Sequence, residues 1–228
     1  MFKHYIFTRW NLLDDNMDIY NNPQVENPEA WMEHRCKLFN EITLKSVMLQ
    51  TERNFTWLLA FAKETPKHIT DYYAGWPNVK IINEYPRTWI QDKVSDGEWI
   101  ITSRLDNDDY IYPDYIQKVQ GKFNEKFLLV DTDGRQKDLA TGKLYTVERK
   151  TCNSPFLSLI EQVGTDWMSV SNDPNEKRLI TDRVKTCYWC SHSKMEWHFP
   201  AVKINEVLYR MNIHDRNAAN RIIGYEVD

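Results

Sequence analysis

Residues 99–111, WIITSRLDNDDYI, drive an apolar run straight into a knot of carboxylates. Trp99, Ile100 and Ile101 lead to Arg104, and Asp106, Asp108 and Asp109 follow at once. A short, continuous apolar run of this kind is the pattern of a strand covered on both faces. In open parallel α/β sheets, ligands bind outside the carboxyl ends of the strands. The strand is therefore expected to anchor a loop that projects acids into a crevice.

The flanking sequence supports that setting. HYIFTRW reads as a strand, and NPEAWMEHRCKLFNEI places Trp31, Leu38, Phe39 and Ile42 on one helical face, with SVMLQ continuing it. NFTWLLAFA is a strand, PKHITDYYAGW a short helix with Pro66 in its first turn, and NVKII a strand. RTWIQDKVSDG is a helical turn closed by Gly97, YPDYIQKVQGKF a helix begun near Pro113, and KFLLVDT the next strand. Alternating strands and helices predict an α/β domain with a mostly parallel sheet. Beyond it, RQKDLATGKLYTVERK predicts a hairpin turning at TG. SPFLSLIEQV predicts a helix capped by Ser154, and AVKINEVLYRMNIHDRNAANRI a strand or two followed by a polar turn or helix.

Composition narrows the function. Of 228 residues, 42% are hydrophobic and 27% charged, which suits a globular domain with a sizeable core. The formal net charge is −4, with acids and bases mixed and no basic block, so no nucleic-acid partner is expected. The longest apolar stretch, WLLAFA, is far too short to span a bilayer, so no integral membrane segment is expected. The first residues carry no long apolar core of a signal peptide, and a cytoplasmic location is expected. Nine tryptophans and twelve tyrosines serve mainly as large core fillers, though broad half-polar rings also suit ring-shaped ligands. Cys187, Cys190, His192 and His198 offer four zinc-type ligands, but their spacing is not that of a common finger. A reduced surface hairpin is the preferred reading.

Three acids so close repel one another unless something cationic neutralises them. A hard divalent cation does so through oxygen ligands, and magnesium takes one or two carboxylates plus phosphate oxygens. On an extended loop Asp106 and Asp108 would point one way and Asn107 the other, giving two acids to one ligand. The plainer alternative is a solvated turn whose aspartates cap the helix near Pro113. With seven glycines and no GxGxxG, GxxxxGK[ST] or GxSxG, neither a classical dinucleotide fold, a P-loop NTPase nor a serine hydrolase fits. An α/β domain that holds a diphosphate without a glycine loop points to a carboxylate-bound metal, as in a sugar-nucleotide transferase.

Here the residues match a family. FTRWNL, WMEHRCKLFNEITLKSVMLQT, NFTWLLAF, IITSRLDNDDYI, CNSPFLSLIE and IHDRNAAN occur in order over nearly the whole chain. They resemble glycosyltransferases of the GT-A type, and in particular the rhamnosyltransferase family. The departures are Asn107, where the family often has aspartate, and Asp215, where it often has glycine.

The resemblance implies a GT-A-like nucleotide-diphospho-sugar transferase fold, α/β, with a mostly parallel central sheet and helices on both faces. One domain would fill residues 1–228, with a nucleotide-sugar-binding half over about 1–133 and an acceptor-binding and closing half over about 134–228. The reaction implied moves a sugar from a nucleotide-diphosphate donor, dTDP-rhamnose or a UDP- or GDP-sugar, to a hydroxyl of a glycan or other acceptor. Thr8, Arg9, Arg104, Asp106, Asp108 and Asp109 are the donor-binding candidates, with Arg104 pairing either with a phosphate or with the acids themselves and Asp109 holding either the loop or the sugar. Asp106, Asp108 and His214 are the candidate ligands of manganese or magnesium, and Asn217 and Asn220 would close over the donor. Asp166, ahead of the possible acceptor platform Trp167, is preferred as the base, with Glu161 on the SPFLSLIEQV helix and Asp182 as the alternatives. Two rivals remain. A metal-dependent phosphoesterase or nuclease would use the second DxD in VDTDG, at Asp131 and Asp133, which otherwise reads as a turn. A non-catalytic carbohydrate-binding module would use the aromatics.

Overall fold

The computed structural model describes residues 1–14, 17–23, 25–84, 86–126, 128–138, 144–146, 158–164 and 201–211. The chain begins with β1 (Phe2–Arg9), a small antiparallel pair β2 (Leu12–Asp14) and β3 (Met17–Asp18), and helix α1 (Pro28–Leu38). A π-helical turn (Phe39–Leu44) runs on into α2 (Lys45–Met48). Next come β4 (Thr56–Ala60), α3 (Lys67–Ala74), β5 (Val79–Ile82), α4 (Pro86–Gln91) and β6 (Trp99–Arg104). Then follow β7 (Tyr110–Ile111), α5 (Tyr115–Gln120), β8 (Leu128–Asp138), β9 (Leu144–Thr146), β10 (Ser158–Gln162) and β11 (Ala201–Met211).

Among the described residues, nine strands form one sheet in the order β5-β4-β1-β6-β10-β8-β11-β7, with β9 paired to β8. The block β5-β4-β1-β6 is parallel throughout, as is the pair β8 and β11. In β1, β4 and β6 at least four consecutive residues are buried. Side chains alternate between faces along a strand, so such burial requires cover on both sides. The α/β class expected from the sequence is the one observed.

The segment 28–48 is helical for physical reasons legible in its residues. Asn27 caps it, accepting from Ala30 N at 3.0 Å, and Pro28 opens the first turn. The π turn then shifts the buried face, so that Phe39, Ile42, Thr43 and Leu44 all go inside. At its far end Gln50 is buried. Its amide donates to Tyr112 O at 2.7 Å and Ser46 O at 2.9 Å, and its Oε1 accepts from Ile116 N at 3.1 Å. Thr51 N bonds Pro113 O at 2.8 Å beside it. One polar side chain thus ties the helical segment to the chain that follows β6.

Two expectations are overturned here. SPFLSLIEQV does not give a helix over its described part: Ser158–Gln162 is β10, antiparallel to both β6 and β8. An apolar run of five residues has no periodicity that separates a buried strand from a helix. Its place between two strands decides, because pairing on both sides satisfies its backbone groups. Likewise Asp131 and Asp133 are not in a turn but inside β8, opposite Lys203 and Asn205 of β11. The hairpin after β8 does form, Arg135–Lys137 pairing with Leu144–Thr146.

A buried polar chain crosses the sheet. His4 Nε2 lies 2.8 Å from Ser103 Oγ, which lies 2.6 Å from Ser158 Oγ, and Tyr115 OH is 3.1 Å from that same oxygen. Gln120 donates its amide to His4 Nδ1 at 3.2 Å, so His4 is neutral and carries its proton on Nε2. Burial lowers the His4 pKa from 6.5 to about 3. Below pH 6.5 the unfolded chain therefore takes up a proton that the folded chain refuses. The contribution of this group to stability is complete above that pH and is lost as the pH falls toward 3. Between pH 7 and 4.5 the loss is expected to be about 2–3 kcal/mol. Urea unfolding of His4→Gln at the two pH values checks this. The variant should lose less stability than the wild type by that amount, and equal losses would refute the assignment.

Candidate functional site

The carboxyl ends of β1, β4 and β6 meet at one edge of the sheet. Trp10 N bonds Ala60 O at 2.9 Å, and Leu105 N bonds Phe7 O at 3.0 Å. Asn11, fully buried, donates to Thr65 Oγ1 at 2.8 Å and accepts from Ala62 N at 2.8 Å. The chain leaving β1 is thereby fixed against the chain leaving β4. Under it, Trp10 stacks on Phe61 with ring centres 4.9 Å apart and packs edge-on against Phe39. This aromatic base gives the edge a rigid floor.

The acids after β6 sit on this floor, in a turn and not an extended loop. Asp109 N reaches back to Asp106 O at 3.3 Å. The turn cancels the strand-like alternation expected of Asp106, Asn107 and Asp108. Asn107 and Asp108 instead face the same guanidinium: Arg35 Nη1 donates to Asn107 Oδ1 at 2.9 Å and to Asp108 Oδ2 at 2.7 Å. Asp106 is held from the other side by Arg104, whose Nε and Nη2 donate to its two oxygens at 3.3 and 3.1 Å. Arg104 thus pairs with the acids themselves. The amide nitrogen of Asn107 donates to Trp10 O, joining the turn to the end of β1.

Accessibility sorts the candidates. The side chains of Asp106 and Asp108 are 30% and 37% exposed, open to a ligand at the sheet edge. Asp109 is only 4% exposed, which fits the loop-holding role. Thr8 does not face the edge as expected: it is fully buried, and its hydroxyl accepts from Trp57 Nε1 at 3.0 Å across the sheet. Near the end of a strand flanked on both sides, its side chain is enclosed, and the indole of the neighbouring strand takes its oxygen. Arg9 ends β1 and is half-buried. Glu161 is a correction: it is buried in β10 opposite Ile100, near the amino end of β6, whereas the acids follow its carboxyl end. Asp166, Asp182, His214, Asp215, Asn217 and Asn220 lie outside the described residues, as do Cys187, Cys190, His192 and His198.

The family described as "Putative rhamnosyl transferase" matches residues 21–226. The chain belongs to that family. No curated protein matches it. Among solved structures, S. aureus TarS 1-349 is similar at 12% identity with a TM-score of 0.41, over 92% of this chain. The present chain spans 60% of that chain.

Arg35 is the residue of this family member that the sequence alone did not reveal. Its signal was present in WMEHRCK, where Trp31 and Arg35 are four apart and share a helical face. The guanidinium lies over the Trp31 ring, 4.9 Å from its centre, and Trp31 packs edge-on against Trp10. Arg35 and Arg104 therefore both pair with the acids of this edge, and Arg9 ends the neighbouring strand β1. The other side of α1 is different in character. There Glu29, Glu33 and Glu64 rim a groove of about 740 Å³ floored by Met32, Cys36 and Tyr73. Burial pushes the Cys36 thiol and the Tyr73 phenol up, so both are neutral at pH 7. The glutamate groove repels an anionic ligand, whereas at the acid turn guanidiniums offset the carboxylates.

Among the described residues no three acidic, histidine or cysteine side chains form a metal cluster, and no helix is long and apolar enough to cross a membrane. Asn107 matters more than a bystander between two acids, because its amide donor to Trp10 O has no counterpart in a carboxylate. Asn107→Asp is expected to cost about 1–3 kcal/mol by leaving that carbonyl facing an anion. A thermal melt of the variant against the wild type measures it, and an unchanged melting temperature would show that the tie is dispensable.

Proposed function

We propose that the chain transfers a sugar from a nucleotide-diphosphate donor to a hydroxyl acceptor, with the Asp106–Asn107–Asp108 turn as the donor-binding centre. The observation that carries this reading is the acid turn itself, pinned to the ends of β1 and β6 and paired with Arg35 and Arg104. Carboxylates and guanidiniums at one strand edge suit a ligand that brings both phosphate oxygens and a cation. Membership of a rhamnosyl transferase family supports glycosyl transfer. Within it, dTDP-rhamnose or a UDP- or GDP-sugar is the proposed donor, and a glycan or other hydroxyl compound the acceptor.

The residues divide the work. Asp106 and Asp108 are hard oxygen donors, half-exposed where a phosphate can approach, and they fit manganese or magnesium. Asp108 would supply one ligand, Asp106 and His214 are the further candidates, and donor phosphate oxygens would complete the set. When bound, the ion supplies positive charge to the leaving diphosphate. Arg9 is proposed to bind a phosphate oxygen, and Asp109 to hold the turn. As the bond from the sugar to the diphosphate breaks, the leaving group keeps the electron pair. The acceptor oxygen attacks, and Asp166 is proposed to take its proton. The phosphoesterase reading has less support, since Asp131 and Asp133 lie within β8 and not at the acid turn.

A donor panel tests the reading. The protein is incubated with UDP-, GDP- and dTDP-sugars plus manganese, magnesium or EDTA, and nucleoside diphosphate release and donor binding are both measured. One donor is expected to be hydrolysed slowly, with about a hundredfold loss or more in Asp106→Ala, in Asp108→Ala and in EDTA. Neither release nor binding for any donor would defeat the proposal. Binding without turnover that survives in Asp108→Ala would favour a carbohydrate-binding module.

A further inference from the structure

The two guanidiniums on the acid turn are not equivalent. Arg104 chelates Asp106 from two residues away through two nitrogens, a two-point pair on its own strand end. Arg35 comes from α1 and divides one nitrogen, Nη1, between Asn107 and Asp108. Single-point contacts to an exposed carboxylate are exchanged at small cost, whereas two-point pairs hold their geometry. Meanwhile the other end of the Arg35 guanidinium is fixed. Its side chain is 19% exposed and it stacks on Trp31, which leans on Trp10. Its Nε is buried without a hydrogen-bond acceptor. A guanidinium so placed cannot follow Asp108 if that acid turns away, and it needs another anion at the same spot.

We propose that Arg35 is a partner-exchanging residue: it serves as the counter-charge of Asp108 before donor binding, yields that carboxylate to a divalent cation, and takes a donor phosphate oxygen in its place. The proposal rests on the transferase reading and deepens it. It makes cation and nucleotide binding cooperative, because each ligand takes one half of the Arg35–Asp108 pair and frees the other half for the second ligand. A brace with a purely structural role has a different signature, since its removal weakens both ligands together.

The test measures the two ligands separately in wild type, Arg35→Met, Arg35→Lys and Arg35→Met/Asp108→Asn. Binding of Mn²⁺ alone is followed by the electron-paramagnetic-resonance signal of the free ion. UDP, GDP and dTDP are then titrated calorimetrically at saturating Mn²⁺, with circular dichroism to check folding. Arg35→Met should bind Mn²⁺ alone about tenfold more tightly, because the competing cation is gone. It should bind the preferred nucleoside diphosphate about tenfold or more weakly, because a charge-assisted bond is gone. The tighter Mn²⁺ binding should vanish in the double variant. Arg35→Lys, which keeps charge but not the stacked fork, should shift both constants in the same two directions by less, and it decides the question if Arg35→Met does not fold. Unchanged Mn²⁺ affinity, or losses of both ligands together, overturns the exchange. Mn²⁺ binding to none of the proteins also overturns it, while donor hydrolysis that persists in EDTA would leave the transferase reading standing.

Discussion

Three carboxylates within four residues repel one another, and the architecture of this sheet edge follows from how that repulsion is answered. Asp106 is answered from within, by Arg104 of the same strand end. Asp108 is answered from outside, by Arg35 of α1. Asp109 is withdrawn into the protein. The second answer has structural consequences. It requires α1 to lie where Arg35 reaches the turn, which in turn requires Trp31, Trp10 and Phe39 to pack beneath it. An electrostatic problem posed by four residues thus fixes the placement of a helix more than sixty residues earlier in sequence.

Once α1 is placed, the remaining ties are mostly buried polar side chains used as fasteners. Asn11 joins the exits of β1 and β4, Gln50 joins the end of the helical segment to the start of α5, and the His4–Ser103–Ser158–Tyr115 chain joins β1, β6, β10 and α5. Each is more costly to leave unsatisfied than it is favourable to form. Such groups therefore specify one arrangement of the elements more than they add to its stability. The aromatic rings do the converse work, filling volume and stiffening the floor on which the turn rests. Rigidity at that edge suits the donor-binding role proposed for it, since acids already ordered need not be ordered on binding.

Much of this was legible in the linear chain. The α/β alternation, the burial of WIITSR on both faces, the continuous helical segment before NFTWLLAF and the exposure of Asp106 and Asp108 all follow from local pattern. SLIEQ misled, because five apolar residues between polar ones suit a helix and a buried strand equally, and the open edges of β6 and β8 made the choice. Thr8 misled for a related reason. Its position at a strand end pointed outward, but Trp57 on the neighbouring strand claimed its hydroxyl. The alternation expected of Asp106, Asn107 and Asp108 assumed an extended backbone, and one hydrogen bond from Asp109 to Asp106 removed it.

The sequence by itself determined the element types of the first half of the chain up to β6, the fact of a carboxylate cluster at a strand end and the likeness to a transferase family. These depend on periodicity and on residues adjacent in the chain, which the chain displays directly. Only the tertiary structure decided which cations face the acids, which side of α1 is basic and which acidic, and that Glu161 lies at the opposite end of β6 from the turn. Those are distances between residues far apart in sequence. They are set by strand order and register, so a side chain such as Arg35 acquires its chemical role only when the helix that carries it has been packed.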